Sequence, residues 1–147
     1  MTIGRERGIN TSLFFNTRGR AMVAISFDPG HHTGFAWVDN QSIKLAGAIR
    51  AECLTDDWLN SLVITAKPDI IIIEDLPINR PDAITAKIFN QLSRLAEMWK
   101  KAGTTIKLVK PGTWKPIIKN RPKDITPHCQ DAVGIALYTI SIQDISK

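Results

Sequence analysis

Residues 70–74 read Ile-Ile-Ile-Ile-Glu, and few folds can accommodate that run. A strand with branched aliphatic side chains at consecutive positions buries both faces, so it belongs in the middle of a sheet. Pro68-Asp69 stops whatever comes before it. Upstream, Thr55 and Asp56 are N-cap candidates for a helix reaching about Lys67. Earlier still, Met22–Asp28 is a short apolar run ending in Asp-Pro-Gly, a second buried strand with a turn after it. A strand, a helix and then a doubly buried strand imply a parallel pair joined by a right-handed crossover.

The remaining pattern fills in around that pair. Gly34–Val38 and Ser42–Arg50 alternate as strands, with Asp39-Asn40 as the turn between them, so the chain opens with an antiparallel meander. Pro81-Asp82 begins the longest helix, which ends near Gly103. Its Ile84, Ile88, Leu92, Leu95 and Trp99 fall on one apolar stripe. Thr104–Val109 is a strand, Lys110–Ile125 a loop rich in Lys, Pro and Gly, and Thr126-Pro127 the start of a last helix. The order βββαβαβα is that of an RNase H-like α/β domain: a five-stranded mixed sheet, a three-strand meander and then two parallel strands, flanked by helices.

A chain of 147 residues fits one domain, and residues 22–147 are read as that domain. Residues 1–21 carry Arg5, Arg7, Arg18 and Arg20 against Glu6 and show no periodicity. They are expected to form a flexible basic extension, either an arm that touches DNA or an upstream extension of the reading frame before Met22. Cys53 and Cys129 match neither a disulfide framework nor a zinc spacing, and no signal peptide or membrane-length apolar run is visible. The expectation is a soluble protein of the reducing cytoplasm of a bacterial or phage-infected cell, without membrane contact. The net charge is +5, and residues 100–123 hold eight basic side chains and no acid. Such a segment suits a phosphate backbone, and equally a solvated surface.

Three motifs carry candidate chemistry. In Ile25-Ser26-Phe27-Asp28-Pro29-Gly30-His31-His32-Thr33-Gly34 an Asp closes a strand, where open α/β sheets place ligand sites. Gly30 and Gly34 would allow a sharp bend and a close substrate approach. The alternative is an ordinary Asp-Pro-Gly turn. In Ile71-Ile72-Ile73-Glu74-Asp75 the carboxylate sits at a strand tip beside Asp28 if the strands are parallel neighbours, and a cation would relieve their repulsion. A solvent-facing Glu74 is the competing reading. In Pro127-His128-Cys129-Gln130-Asp131-Ala132, His128 and Asp131 share a helix face near its start, as many surface pairs do.

Taken in order, these motifs resemble the RuvC family of Holliday-junction resolvases, nucleases of the RNase H-like superfamily, from about Met22 to Tyr138. The resemblance implies a metal-dependent endonuclease that resolves branched DNA by paired nicks. It makes Asp28, Glu74, His128 and Asp131 the catalytic, metal-binding residues. Hydrolysis of a phosphodiester needs an activated water and a stabilised leaving oxygen, which two divalent ions about 3.5–4 Å apart supply. Oxygen ligands suit Mg²⁺, and one imidazole makes Mn²⁺ an acceptable substitute. In this reading Asp28 bridges, Glu74 and Asp131 hold one ion each, and His128 is a ligand or a proton-handling group.

Lys110, Lys115 and Lys119 would then meet phosphate, with Arg80, Arg121 and Lys123 as further DNA contacts. Trp114 stacks on a base or anchors the loop. Symmetric cutting implies a homodimer, with the helix Asp82–Ala102 as the interface and Phe89 and Met98 as either exposed interface residues or core. The short stretch from Trp114 to His128, and Pro77 or Ile78 where the family often has an aromatic wedge, point to a compact phage or mobile-element variant. Two other readings compete. One is an RNase H-like nuclease with a different nucleic acid substrate, and the other is a non-catalytic DNA-binding or assembly module on the same fold.

Overall fold

The computed structural model describes residues 22–40, 42–76, 82–110 and 127–145. Strands β1 (Val23–Asp28), β2 (His32–Asp39) and β3 (Ser42–Arg50) come first, and a 3₁₀ turn (Ala51–Cys53) leads into helix α1 (Asp56–Ala66). Strand β4 (Ile70–Glu74), helix α2 (Ala83–Lys101), strand β5 (Thr105–Val109) and helix α3 (Pro127–Ile145) follow. The sheet order is β3-β2-β1-β4-β5. β1 pairs antiparallel with β2, and β2 with β3. β1 pairs parallel with β4, and β4 with β5. This is the expected mixed sheet, with β4 inside it.

Strand alternation sorts the core into two layers. Ile70 and Ile72 pack with Ala24, Ala36 and Val38 against Ala132, Val133, Ile135 and Ala136 of α3. Ile71 and Ile73 pack with Ile25 and Phe27 against Leu59 and Leu62 of α1 and Ile88, Leu92, Leu95 and Trp99 of α2. The run of isoleucines is thus shared between the faces, and none of the four is more than 2% exposed. Polar links hold the helices around it. Trp99 Nε1 donates to Asn60 Oδ1 at 2.9 Å, and Gln91 Nε2 donates to the Leu54 carbonyl at 3.0 Å and to Asp56 Oδ1 at 2.9 Å.

The helix ends follow their local chemistry. Thr55 Oγ1 accepts from Trp58 N at 3.1 Å, and Asp82 Oδ1 accepts from Thr85 N at 2.8 Å, so both act as N-caps. α1 ends at Lys67 in a left-handed conformation, φ 49°, immediately before Pro68. The Thr126 cap expected for α3 lies outside the described residues, as do 1–21 and the Pro77/Ile78 position.

Some expectations are corrected. β2 begins at His32, so the second histidine belongs to a strand rather than to the turn. Ile84 shares the stripe but stands at its open end: it is 42% exposed and lines an open groove of about 770 Å³ with Ala51, Leu54 and Lys87. Of the two candidates for the outer face of α2, Met98 is 56% exposed, whereas Phe89 packs partly buried against the core. Among the described residues no helix is long and apolar enough to cross a membrane.

Candidate active site

Asp28 is the last residue of β1 and Glu74 the last of β4. Their strands run parallel with Phe27 opposite Ile73, so the carboxylates occupy adjacent positions at one sheet end. Alternation fixes their face. Ala24 and Ile70 face α3, as do Ala36 and Ile72, so two-residue steps along each strand carry Asp28 and Glu74 to that same face. The expected convergence of the two strand tips is therefore present in the backbone.

α3 brings the third acid to that face. Ser26, fully buried on β1, donates through Oγ to the carbonyl of Ala132, which pins the second turn of α3 two residues from Asp28 along the strand. Asp131 precedes Ala132 directly and is half-buried, as are Asp28 and Glu74. Its neighbours Ala132 and Val133 are wholly buried against the sheet, so Asp131 stands where the helix leaves the core.

Hydrogen bonds brace the segments that follow the two strand tips. The Thr33 hydroxyl donates to the Gly30 carbonyl at 3.1 Å, and Ala51 N donates to the His31 carbonyl at 2.9 Å. His31 Nε2 lies 3.0 Å from Asp82 Oδ1, joining the turn after Asp28 to the start of α2. Asp75 N donates to the Val109 carbonyl at 2.8 Å, which fastens the residue after Glu74 to β5. The Thr85 N–H holds the Asp82 carboxyl below the usual carboxylate range, with the Thr85 hydroxyl and His31 adding to the effect. The chain bends at Gly30 and His31, as expected, but the bend does not use a left-handed glycine. Among the described glycines only Gly103 has a positive φ, and a Cβ on Gly30 would meet its nearest neighbour, the His32 carbonyl, at an ordinary 3.5 Å.

The carboxylates at this sheet end are hard oxygen donors, a set whose chemistry suits a divalent cation such as Mg²⁺. Among the described residues no three His, Cys, Asp or Glu side chains already meet at one metal position. His128 lies in the first turn of α3, one helical turn before Asp131, and its side chain is outside the description. Lys110 follows β5 directly at the same sheet end and is exposed. Arg80, Trp114, Lys115, Lys119, Arg121 and Lys123 lie outside the described residues. Sequence reasoning gave no role in the site to Ser26, His31 or Arg50, and read Asp82 only as the start of a helix. The buried alternation of β1 was a signal for Ser26, whereas the others depend on which segments meet.

No protein-family model and no curated protein matches this sequence. Solved structures do. Thermus thermophilus RuvC in complex with Holliday junction substrate superposes with a TM-score of 0.62 at 16% identity, covering 83% of this chain and 95% of that one. Another Thermus thermophilus RuvC structure gives 0.61 at 14%, covering 85% and 97%. A Fowlpox virus resolvase complexed with Holliday junction DNA gives 0.42 at 16%, covering 68% and 69%. The chain has the RuvC-like, RNase H-type fold across nearly the full length of the Thermus chains.

Proposed function

We propose that this protein is a divalent-metal-dependent endonuclease that cuts branched DNA, four-way junctions foremost. One observation carries the reading: Asp28 and Glu74 end adjacent parallel strands on the face to which Ser26 pins α3 beside Asp131. The fold supports it, since one superposing structure, Thermus thermophilus RuvC, was solved with a Holliday junction.

Asp28, central in the sheet, would be the ligand shared by two cation positions, with Glu74 and Asp131 completing one each. Bound there, the ions would activate the attacking water and stabilise the leaving oxygen. His128 would complete the ligand set or carry a proton near that water. Lys110, with Arg80, Trp114, Lys115, Lys119, Arg121 and Lys123, would hold the DNA backbone and an unpaired base. Mn²⁺ would replace Mg²⁺. Paired nicks call for a twofold dimer, with α2 and its exposed Met98 as the contact, acting in the reducing cytoplasm of a bacterial or phage-infected cell.

The deciding experiment incubates the protein and Asp28→Asn with a labelled immobile junction and a matched duplex, in Mg²⁺, Mn²⁺ or EDTA. Paired, metal-dependent nicks in the junction that vanish in Asp28→Asn are expected. The competing reading is a DNA-binding module without catalysis on the same fold. Junction binding by both proteins with no cutting in either metal would establish that reading instead.

A further inference from the structure

The face that carries Asp28 and Glu74 continues past them onto β2 and β3. Gly34 lies opposite Asp28, and Ala48 lies opposite Gly34, so the row beside Asp28 has almost no side-chain bulk. Two residues farther, His32 lies opposite Arg50, and residues directly opposite in an antiparallel pair share a face. Alternation shows which face. Ala36 and Ala46 pack on the α3 side, and two-residue steps lead from them to His32 and Arg50. On the other side Gly47 lies against the Phe35 ring and Ile49 packs into the opposite core layer.

α3 does not cover this corner. Ala36 and Val38 beneath the helix have no exposed surface, whereas His32, Ala48 and Arg50 at the near end are exposed. From strand spacing and rise, His32 lies about 8 Å from Asp28 across the small row. Arg50 Nη2 contacts Glu52 Oε2 at 3.1 Å, with both side chains more than 60% exposed. A surface pair of that kind contributes little and yields readily to a competing anion. A guanidinium offers a fork of donors that fits phosphate, and an imidazole offers an N–H in either protonation state.

We propose that His32 and Arg50 form an anion subsite, which holds a DNA phosphate flanking the one that meets the carboxylates. The inference rests on the nuclease reading for the position of that second phosphate, while its binding test stands apart from cleavage.

The test compares wild type, Arg50→Gln, His32→Gln and, as a control, Lys44→Gln near the opposite end of β3 for binding to a labelled four-way junction in EDTA. Salt concentration is varied, and circular dichroism confirms folding. Arg50→Gln is expected to lower the slope of log affinity against log salt by about 1, the loss of one phosphate contact. Neutral methylphosphonate linkages, placed one at a time near the branch point, then identify the partner. One of them should weaken binding by the wild type, His32→Gln should blunt that penalty, and Arg50→Gln should abolish it. In Lys44→Gln the penalty should persist.

An unchanged slope, or a methylphosphonate penalty equal in wild type and Arg50→Gln, overturns the subsite even if the wild type cuts junctions normally. A wild type that binds and shows the coupling but never cuts overturns catalysis and leaves the subsite standing. If the wild type binds no DNA, both proposals fall.

Discussion

Ser26 sits in the middle of β1 with no exposed surface, a polar residue in a strand whose inward neighbours are Ala24, Ile25 and Phe27. Its hydroxyl is satisfied by the Ala132 carbonyl, and that bond fixes where α3 meets β1. Ser26→Ala removes the donor and leaves a buried acceptor with one partner fewer, a loss of about 1 kcal/mol. Urea unfolding should therefore show a lower midpoint at unchanged m-value, and junction cleavage should fall because Asp131 loses its anchor. Cleavage unchanged in a destabilised Ser26→Ala would separate Ser26 from the site.

Gly47 is constrained differently: an added Cβ would lie 2.8 Å from Phe35 Cζ. The Phe35 ring cannot easily yield, since it packs edge-on against Trp58 with centroids 4.9 Å apart. Gly47→Ala should cost about 1–3 kcal/mol by overpacking, measured in the same unfolding experiment. At this scale Asp28 and Glu74 were legible because a carboxylate ending an apolar run marks a strand tip. His32 and Arg50 were not, because their shared face depends on a register that shifts between Trp37 and Val38.

Elements were easier to read than contacts, for a physical reason. β4 begins after Pro68-Asp69 and ends at its carboxylate, so composition marks both ends. β3 starts after a tight turn where Asn40 takes φ 52°, a conformation Asn tolerates. The 3₁₀ turn Ala51–Cys53 carries no such signal and was missed. Ile84 shares the stripe yet is exposed, because helical periodicity shows which residues share a face but not where its buried part ends. The end of α1 departs from usual helix chemistry: Lys67 at φ 49° donates its N–H to the Val63 carbonyl, in a position glycine normally fills. The left-handed strain of an L-residue outweighs the extra unfolded-state entropy of glycine. Lys67→Gly should thus raise stability by about 0.5–1 kcal/mol, read as a higher urea midpoint. A lower midpoint would mean that the Lys67 side chain contributes more than its backbone costs.

Across the whole molecule, the carboxylate of Asp56 fastens α1 to α2, and that of Asp82 ties the start of α2 to the turn after β1. Asp56, in the first turn of α1, accepts from Gln91 Nε2 at Oδ1, and its Oδ1 and Oδ2 both accept from Arg94 Nη2, at 3.0 and 2.9 Å. The Gln91 hydrogen bond, then Arg94, lowers the Asp56 pKa, while the Thr85 N–H chiefly lowers that of Asp82 at the start of α2. A carboxylate with a depressed folded pKa stabilises the fold above its unfolded value of about 4, and that contribution disappears as pH falls through the lower folded value. Stability from these two groups should be flat from neutral pH down to about 5 and then decline. Because both sites are exposed, salt should shrink the decline. In Asp56→Asn/Asp82→Asn, Asn can still cap α2 and accept from Gln91. Thermal midpoints measured from pH 7 to pH 2 should give this variant a shallower acid limb than wild type. Equal limbs in the two proteins would assign the acid sensitivity to groups other than Asp56 and Asp82.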